Sequence, residues 1–416
     1  MSLDNLVLVN LISEQVIPAV LPMYHIQGIT KLVHLITNDG FKDTSLRVFQ
    51  FYSKKMREFT NQGNKISNGV SMQDVLVKYN DWHSTYGATL MVYEEHPQML
   101  INLTGGTKLM AIGAYRAALE KQIPAFYIDS GSNQWIWVIS ASSSDYFQIE
   151  SISGEMGIKE LVELHGGNIR HDMQKMKGYN EHLFQLASSI ARVHWIMKGV
   201  TAFNQEHLYH REILVGDAKV MTVRLTWDHR QFNEKERQHE SSLLRMIAHL
   251  QEKGFFKSVK HSSSRSVQIS MRPDVFELLR KQGNWLEYYI YSLLAREKVR
   301  RSIHDLELGI TIEWEWQDAK TVNEADVIAS LHRQLYFISC KSGKVKGDAG
   351  TTALDQLVSV APRTGGLFTR KILVTIQELS MDMKARAELL KIHTVVLKEL
   401  LLSEDPVATL LGQQLQ

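Results

Sequence analysis

The sequence predicts an α/β protein with a sheet-forming region at each end and a mixed middle. Three observations carry this. Apolar runs alternate with helical stretches through roughly the first 140 residues, the alternation returns after Gly283, and between them a long helix leads into a two-stranded ribbon. A chain of 416 residues also exceeds the ~250–300 at which one core stops growing, so two or three domains are expected. The expected boundaries are 1–145, 146–280 and 281–416.

Asn5–Ile12 (NLVLVNLI) is a nearly continuous apolar run, as in a strand buried on both faces of a parallel sheet. Lys31–Thr37 is a second strand, closed by the turn Asn38-Asp39-Gly40. Ser45–Phe59 reads as a helix with Leu46, Phe49, Tyr52 and Met56 on one face. Gln98–Leu103 is a strand, a helix follows from Lys108 to Glu120, and Pro124–Asp129 and Gln134–Ile139 are further strands. Strands separated by helices predict a doubly wound, Rossmann-like sheet. Ser140–Ser153 is rich in serine and reads as a linker.

In the middle, Glu212–Trp227 reads as a hairpin around Gly216-Asp217, and Glu234–Lys253 as a helix with Leu243, Leu244, Ile247 and Leu250 on one stripe. Phe255–His261 and Ser266–Met271 flank the turn Ser262–Arg265. Helix then ribbon is the layout of a winged helix, but no basic cluster marks a recognition helix, so a scaffold is expected rather than a DNA reader. In the last region, Asn284–Val299 is an amphipathic helix with Leu286, Tyr289, Ile290, Leu293 and Leu294 inward. Strands at Ala325–Ser330 and Leu335–Ser342, a helix near Ala353–Val360 and a strand Lys371–Ile376 make a second α/β unit.

Apolar residues at 44 % and charged residues at 22 % exclude a disordered chain, a fibrous repeat and a disulfide scaffold. The single cysteine, Cys340, cannot form an intramolecular disulfide, which suits a reducing compartment, and a cytoplasmic location is expected. No window holds the ~18 apolar residues of a membrane helix, and the N-terminus lacks a basic residue before its apolar run, so no membrane contact and no signal peptide are expected. With 47 basic against 45 acidic residues, any nucleic-acid binding must come from local patches. No Ser-His-acid order or G-x-S-x-G elbow is present.

Asn102-Leu103-Thr104-Gly105-Gly106-Thr107-Lys108 lies between a strand and a helix. Paired glycines let backbone N–H groups face an anion, the helix N-terminus adds partial positive charge, and Lys108 can hold a phosphate. The spacing is neither a Walker A loop nor a dinucleotide fingerprint, and a tight turn with an exposed lysine fits the same residues. Ser13 and Gln15, in the loop after the first strand, lie at the same carboxyl edge of the sheet, where α/β proteins bind ligands. These polar side chains suit a base or ribose, and the glycines and lysine suit phosphate.

The Ser-Glu-Gln-x-Ile-Pro loop and the Asn-x-Thr-Gly-Gly-Thr-Lys-x-Met segment resemble the CARF sensor domain of type III CRISPR ancillary proteins over roughly the first 140 residues. The resemblance implies a homodimer that binds a cyclic oligoadenylate across its two-fold axis, with cyclic tetra-adenylate as activator. It implies Ser13, Gln15, Thr104, Gly105, Gly106, Thr107 and Lys108 as ligand-binding residues.

In the last region Glu287, Asp326 and Lys341 stand out. Phosphodiester hydrolysis at a divalent metal needs carboxylates to hold the ion and a cation beside the phosphate. A hairpin can bring Asp326 near Lys341, and Glu287 can be carried beneath the sheet by its helix. Gly283–Glu287, Asn323–Val327 and Phe337–Gly343, in that order, resemble CARF-linked endonucleases of the PD-(D/E)xK class. The resemblance implies a restriction-endonuclease-like domain with Glu287, Asp326 and Lys341 catalytic, and Mn²⁺ or Mg²⁺ held by Glu287, Asp326 and Cys340. Strand alternation turns the Cys340 side chain away from Lys341, as a small buried hydrophobe. Ser339 stands where the pattern has an acid; either Glu287, Glu324 and Asp326 suffice, or metal binding is weak, or cleavage is impaired.

His207 and His210 have helical i, i+3 spacing without a partner for zinc, so a structural role is expected. Arg296, Lys298, Arg300 and Arg301, with Lys344, Lys346, Arg363, Arg370 and Lys371, form either a solvated face or a phosphate track. The leading expectation is a cyclic tetra-adenylate-activated, metal-dependent nuclease cleaving DNA and/or RNA in type III CRISPR antiviral defence. The alternatives are a catalytically impaired CARF sensor that binds nucleic acid or a partner without cutting, and a transcriptional regulator using the middle region.

Overall fold

The computed structural model describes residues 5–61, 69–129, 134–140, 149–151, 154–170, 178–206, 208–216, 219–228, 232–263, 265–316, 319–343, 345, 347–366 and 369–412. The first strand, β1 (Leu6–Leu11), has every residue buried, which is why its sequence is an apolar run rather than an alternation. Two short helices follow, α1 (Ile17–Val20) and α2 (Pro22–His25). Then come β2 (Ile29–Ile36), α3 (Lys42–Asn61), β3 (Ser71–Leu76), α4 (Trp82–Glu95), β4 (Met99–Asn102), α5 (Lys108–Lys121), β5 (Ala125–Asp129), β6 (Gln134–Ile139) and β7 (Ile149–Ser151). The sheet runs β3-β2-β1-β4-β5-β6-β7, with β1 to β5 parallel and β6 and β7 antiparallel. The strand order reverses between β1 and β4, so the loops after these two strands flank the switch point of the sheet.

Three sequence expectations change here. The inward face of α3 is Ser45, Val48, Phe51 and Tyr52, while Leu46 is exposed. The stretch 140–153 is not simply a linker, because Ile149–Ser151 pairs with β6; residues 141–148, 152 and 153 lie outside the described residues. Strand β3 and helix α4 carry no clear sequence signal, since β3 is a half-exposed edge strand and α4 turns Thr85 and Thr89 inward.

After the first sheet come α6 (Ile158–Leu164) and β8 (Gly167–Arg170). The middle holds α7 (Glu181–Arg192), α8 (His194–Phe203), β9 (His210–Gly216), β10 (Met221–Thr226), α9 (Glu234–Glu252), β11 (Phe256–Ser263), β12 (Ser266–Met271) and α10 (Pro273–Leu279). The helix-then-ribbon order is present, with the ribbon built into one four-stranded sheet, β11-β12-β10-β9. His210 begins β9 rather than lying on a helix, and His207 lies outside the described residues.

The last region contains α11 (Asn284–Arg296), β13 (Ile303–Trp316), β14 (Ala319–Leu331), β15 (Gln334–Lys341), α12 (Gly347–Gly365), β16 (Arg370–Thr375) and β17 (Ile392–Val396). Its sheet runs β17-β16-β15-β14-β13-β8, so a strand from before the middle region completes its edge. His332 and Arg333, both at positive φ, form a two-residue hairpin turn between β14 and β15. Helix α11 is buried nearly all round: Trp285, Tyr288, Tyr291 and Ser292 join the expected apolar stripe.

Two cores hold this sheet between its neighbours. On one face, Tyr336, Ile338 and Cys340 pack with α11 and with the middle helices through Leu183, Ile190 and Leu243. On the other, Leu335, Phe337 and Leu373 pack with α12, with α6 and with the first region through Ile17, Val20 and Tyr52. A third core lies beneath α4 and α5 on the far side of the first sheet. Among the described residues no helix is long and apolar enough to cross a membrane.

Candidate functional sites

At the switch point, the loop after β4 presses against the end of β1. A Cβ on Gly105 would lie 1.8 Å from the Leu11 carbonyl oxygen, so only glycine fits, and Gly106 follows at φ +70°. Thr107 caps α5: its hydroxyl accepts from the Met110 N–H at 3.3 Å and donates to the Tyr79 carbonyl at 2.8 Å. The Thr104 hydroxyl accepts from the Ile128 N–H at 2.8 Å. Both threonines thus hold the loop in shape, and Lys108 is the exposed cation beside it. Across the switch point, the Ser13 hydroxyl accepts from the Gln15 N–H at 3.2 Å. The seven residues expected to bind ligand therefore gather on two neighbouring loops at one sheet edge.

Buried His34 on β2, buried Ser45 on α3 and half-buried Asp74 on β3 also meet in this region, which sequence order did not reveal. The His34 ring Nδ1 is 2.7 Å from the Ser45 hydroxyl, and that hydroxyl donates to Asp74 at 2.5 Å. Serine stands between histidine and acid, so the histidine is not backed by the carboxylate as a nucleophilic triad requires. Burial holds His34 down to about 3, hence neutral.

The second site is a fork. The β14–β15 ladder runs from Leu331↔Gln334 to Val327↔Ile338, and at the next position the strands part. There Asp326 Oδ2 accepts from the Cys340 N–H at 2.7 Å and from the Ser339 hydroxyl at 3.2 Å, with Lys341 Nζ at 3.9 Å. The opposite strand bends at the same level. Gly309, which the β13 register sets across from Asp326, has φ +57°. On either side of this level the side chains change cores: Leu308 and Val327 join one, Ile310 and Ala325 the other. Burial raises the Asp326 carboxyl above its ordinary value and Glu324 adds to this, while Lys341, the Cys340 N–H and the Ser339 hydroxyl oppose it.

Glu287, in the first turn of α11, is half-buried, and its Oε1 and the Ser342 hydroxyl both lie within 4 Å of where a Cβ on Gly283 would stand. Burial first, then Asp326 and Glu287, push the Cys340 thiol well up, so both carboxylates act on the same point of β15. That thiol faces the apolar core, and burial favours its protonated form, which suits a small hydrophobe better than a ligand of a hard cation. Among the described residues no three His, Cys, Asp or Glu side chains gather as a ligand set. Two carboxylates and the Ser339 hydroxyl fit an ion held by few protein oxygens and otherwise by water, as Mg²⁺ commonly is.

The basic run divides. Arg300 and Arg301 both pair with Asp405, Arg296 stacks over Phe184 at 4.8 Å, and Lys371 donates to the Leu390 carbonyl. These are tied into the fold, whereas Arg363 and Arg370 are exposed; Lys344 and Lys346 lie outside the described residues.

Residues 7–153 match the family model of the Card1 CARF domain, and residues 278–401 that of the Card1-like endonuclease domain. Two solved structures share the fold along almost the whole chain. One is protein VC1899 from Vibrio cholerae, with TM-score 0.71, 16 % identity, and 95 % of this chain and 94 % of that one covered. The other is Can2 from Sulfobacillus thermosulfidooxidans in complex with cyclic tetra-adenylate, with TM-score 0.65, 18 % identity and 97 % of each chain covered. No curated protein sequence matches the chain.

Proposed function

This chain joins a CARF domain of the Card1 kind to a Card1-like endonuclease domain, and from that pairing we propose a nuclease switched on by cyclic tetra-adenylate in CRISPR defence. The proposed division is a sensor over 1–145, a middle over 146–280 and a nuclease over 281–416. The observation that carries the reading is the fork: a mostly buried carboxylate, a lysine 3.9 Å away and a second carboxylate acting on the same strand. Asp326 and Glu287 are the residues to hold Mn²⁺ or Mg²⁺, with Cys340 able to offer only its main-chain carbonyl. A divalent ion there supplies charge stabilisation at the phosphate and an activated water. Lys341 sits beside the scissile phosphate of DNA or RNA and offsets the charge that develops on its oxygens.

The sensor ligand is a ring of adenosine phosphates, which suits backbone N–H groups and a lysine at a helix N-terminus. Can2 holding cyclic tetra-adenylate supports the ring size. A homodimer is supported by α5, which exposes Leu109, Ile112, Tyr115 and Leu119 along one side and begins at the Lys108 loop. Pairing there sets two copies of the loop close together. Allosteric coupling is supported by α6, which is fastened to both parts. Arg47 Nε on α3 donates to the Leu164 carbonyl at 3.0 Å, while the Ile158 N–H donates to Asp305 Oδ2 on β13 at 2.9 Å.

Ser339 favours a second reading, a sensor that does not cut, because its hydroxyl occupies the place of a charged ligand and donates to Asp326. Labelled DNA and RNA incubated with and without cyclic tetra-adenylate and Mn²⁺ decide between them. Cleavage that needs both ligand and metal is the expected result. If neither the native protein nor Ser339→Glu cuts with any divalent metal, the silent-sensor reading stands instead.

A further inference from the structure

Two asparagines interrupt the apolar runs of the strands that flank the switch point. Asn10 on β1 and Asn102 on β4 are register partners, and both are buried, at 0 % and 2 % exposure. A buried amide is costly unless its donors and acceptor are matched. Here they are matched to specific segments. Asn102 Nδ2 donates to Asn10 Oδ1 at 3.0 Å and to the Pro18 carbonyl at 2.9 Å, and Asn102 Oδ1 accepts from the Thr104 N–H at 3.1 Å. Asn10 Nδ2 donates to the Ala19 carbonyl at 3.4 Å. One end of the pair therefore holds the first turn of the Thr104–Lys108 loop. The other holds α1, the helix that the Ser13–Gln15 loop enters.

We propose that Asn10 and Asn102 are positioning residues that lock the two loops into a single ligand-binding surface. They touch no ligand themselves; they fix the distance between the polar groups that would. An apolar pair would fill the same space but leave each loop free to settle alone. The inference rests on the reading that this edge binds cyclic tetra-adenylate, so the native protein is measured first.

The test uses the full chain and calorimetry with cyclic tetra-adenylate. The double variant Asn10→Leu/Asn102→Leu removes both side-chain amides together, so neither is left without the other, and it releases the Thr104 N–H and the Pro18 and Ala19 carbonyls. The expected result is a dissociation constant at least ~10-fold higher, a raised half-activating concentration and an unchanged nuclease rate at saturating ligand. Asn102→Asp is the second variant, for use if the double variant does not fold. It keeps the acceptor for Thr104 and loses the donors to Pro18 and to Asn10. Hydrogen exchange in the unliganded protein should then speed up at residues 13–19 and stay native at 104–108. Native affinity in the folded double variant overturns the proposal, as does native exchange at 13–19 in Asn102→Asp. A native protein that binds no cyclic tetra-adenylate overturns the sensor reading, and the proposal falls with it.

Discussion

The two candidate sites are built by opposite means. At the switch-point edge the side chains are largely used up in holding the backbone: Thr104 and Thr107 bond to main chain, and Gly105 exists to let the loop touch Leu11. What remains for a ligand is shape, main-chain N–H groups, the polar side chains of Ser13 and Gln15 and one exposed lysine. At the fork the backbone has given way, since β14 and β15 part at Asp326, and charged side chains meet in a partly dry place. The lesson is that the sensor edge should be sensitive to sterics and forgiving of charge, and the fork the reverse.

The largest expected effect tests the fork. Asp326→Asn preserves shape and removes charge, and should lower ligand-activated cleavage by about 100-fold or more, or ~2.7 kcal/mol, in single-turnover assays. Native-like cutting by this variant would break the contrast. Next comes Gly105→Ala at the sensor edge. One methyl forced against a carbonyl oxygen must move the loop, and ligand affinity should fall by about 2–3 kcal/mol in calorimetry. Lys108→Ala should cost less, about 1.5 kcal/mol, the low end for a bond to a charged group, because the lysine is exposed. If the lysine variant loses more affinity than the glycine variant, the sensor reads charge after all.

A further expected effect is on stability. Burial lowers His34 to about 3 and His165, against α12 near Gly366, to about 4. Both folded values lie below the unfolded value near 6.5, so the unfolded chain takes up protons first as pH falls. Stability should be constant above about pH 6.5 and decline below it, by at most ~1.4 kcal/mol per pH step per group. Urea midpoints at pH 7 and pH 5 measure this, and His34→Gln should flatten the difference.

Much of the first sheet was legible because β1, β2, β4 and β5 are buried and must be apolar. The edge strand β3 was not, since SMQDVL is half in water and half against its neighbour. Helix α3 misled because Ser45 and Thr44, not Leu46, face inward, Ser45 bonding to His34 and Asp74. At the fork, Glu287, Asp326 and Lys341 were legible as residue types in order, because charge chemistry resides in side chains. The bend at Gly309 was hidden, since a glycine in a charged strand, IHDLELGITIEWEW, gives no sign of which residue it will face. Asn10 and Asn102 were hidden for a related reason: apart from Thr104, their partners lie nine residues away or across the sheet.

Helix α6 has a consequence for how such chains diversify. Seven residues long, it contributes Ile158, Leu161, Val162 and Leu164 to a core that also takes in Tyr52 of the first region and Leu357 and Phe337 of the last. A crossover that exchanged the effector half after position 166 would strand this helix against a foreign α12 and open a cavity at the seam. Exchange is therefore tolerated where the incoming half brings its own α6, or where the whole chain is inherited together. Lineages that shuffle their effectors should carry matched pairs of α6 and α12, so the heritable cassette is the chain from α6 onward.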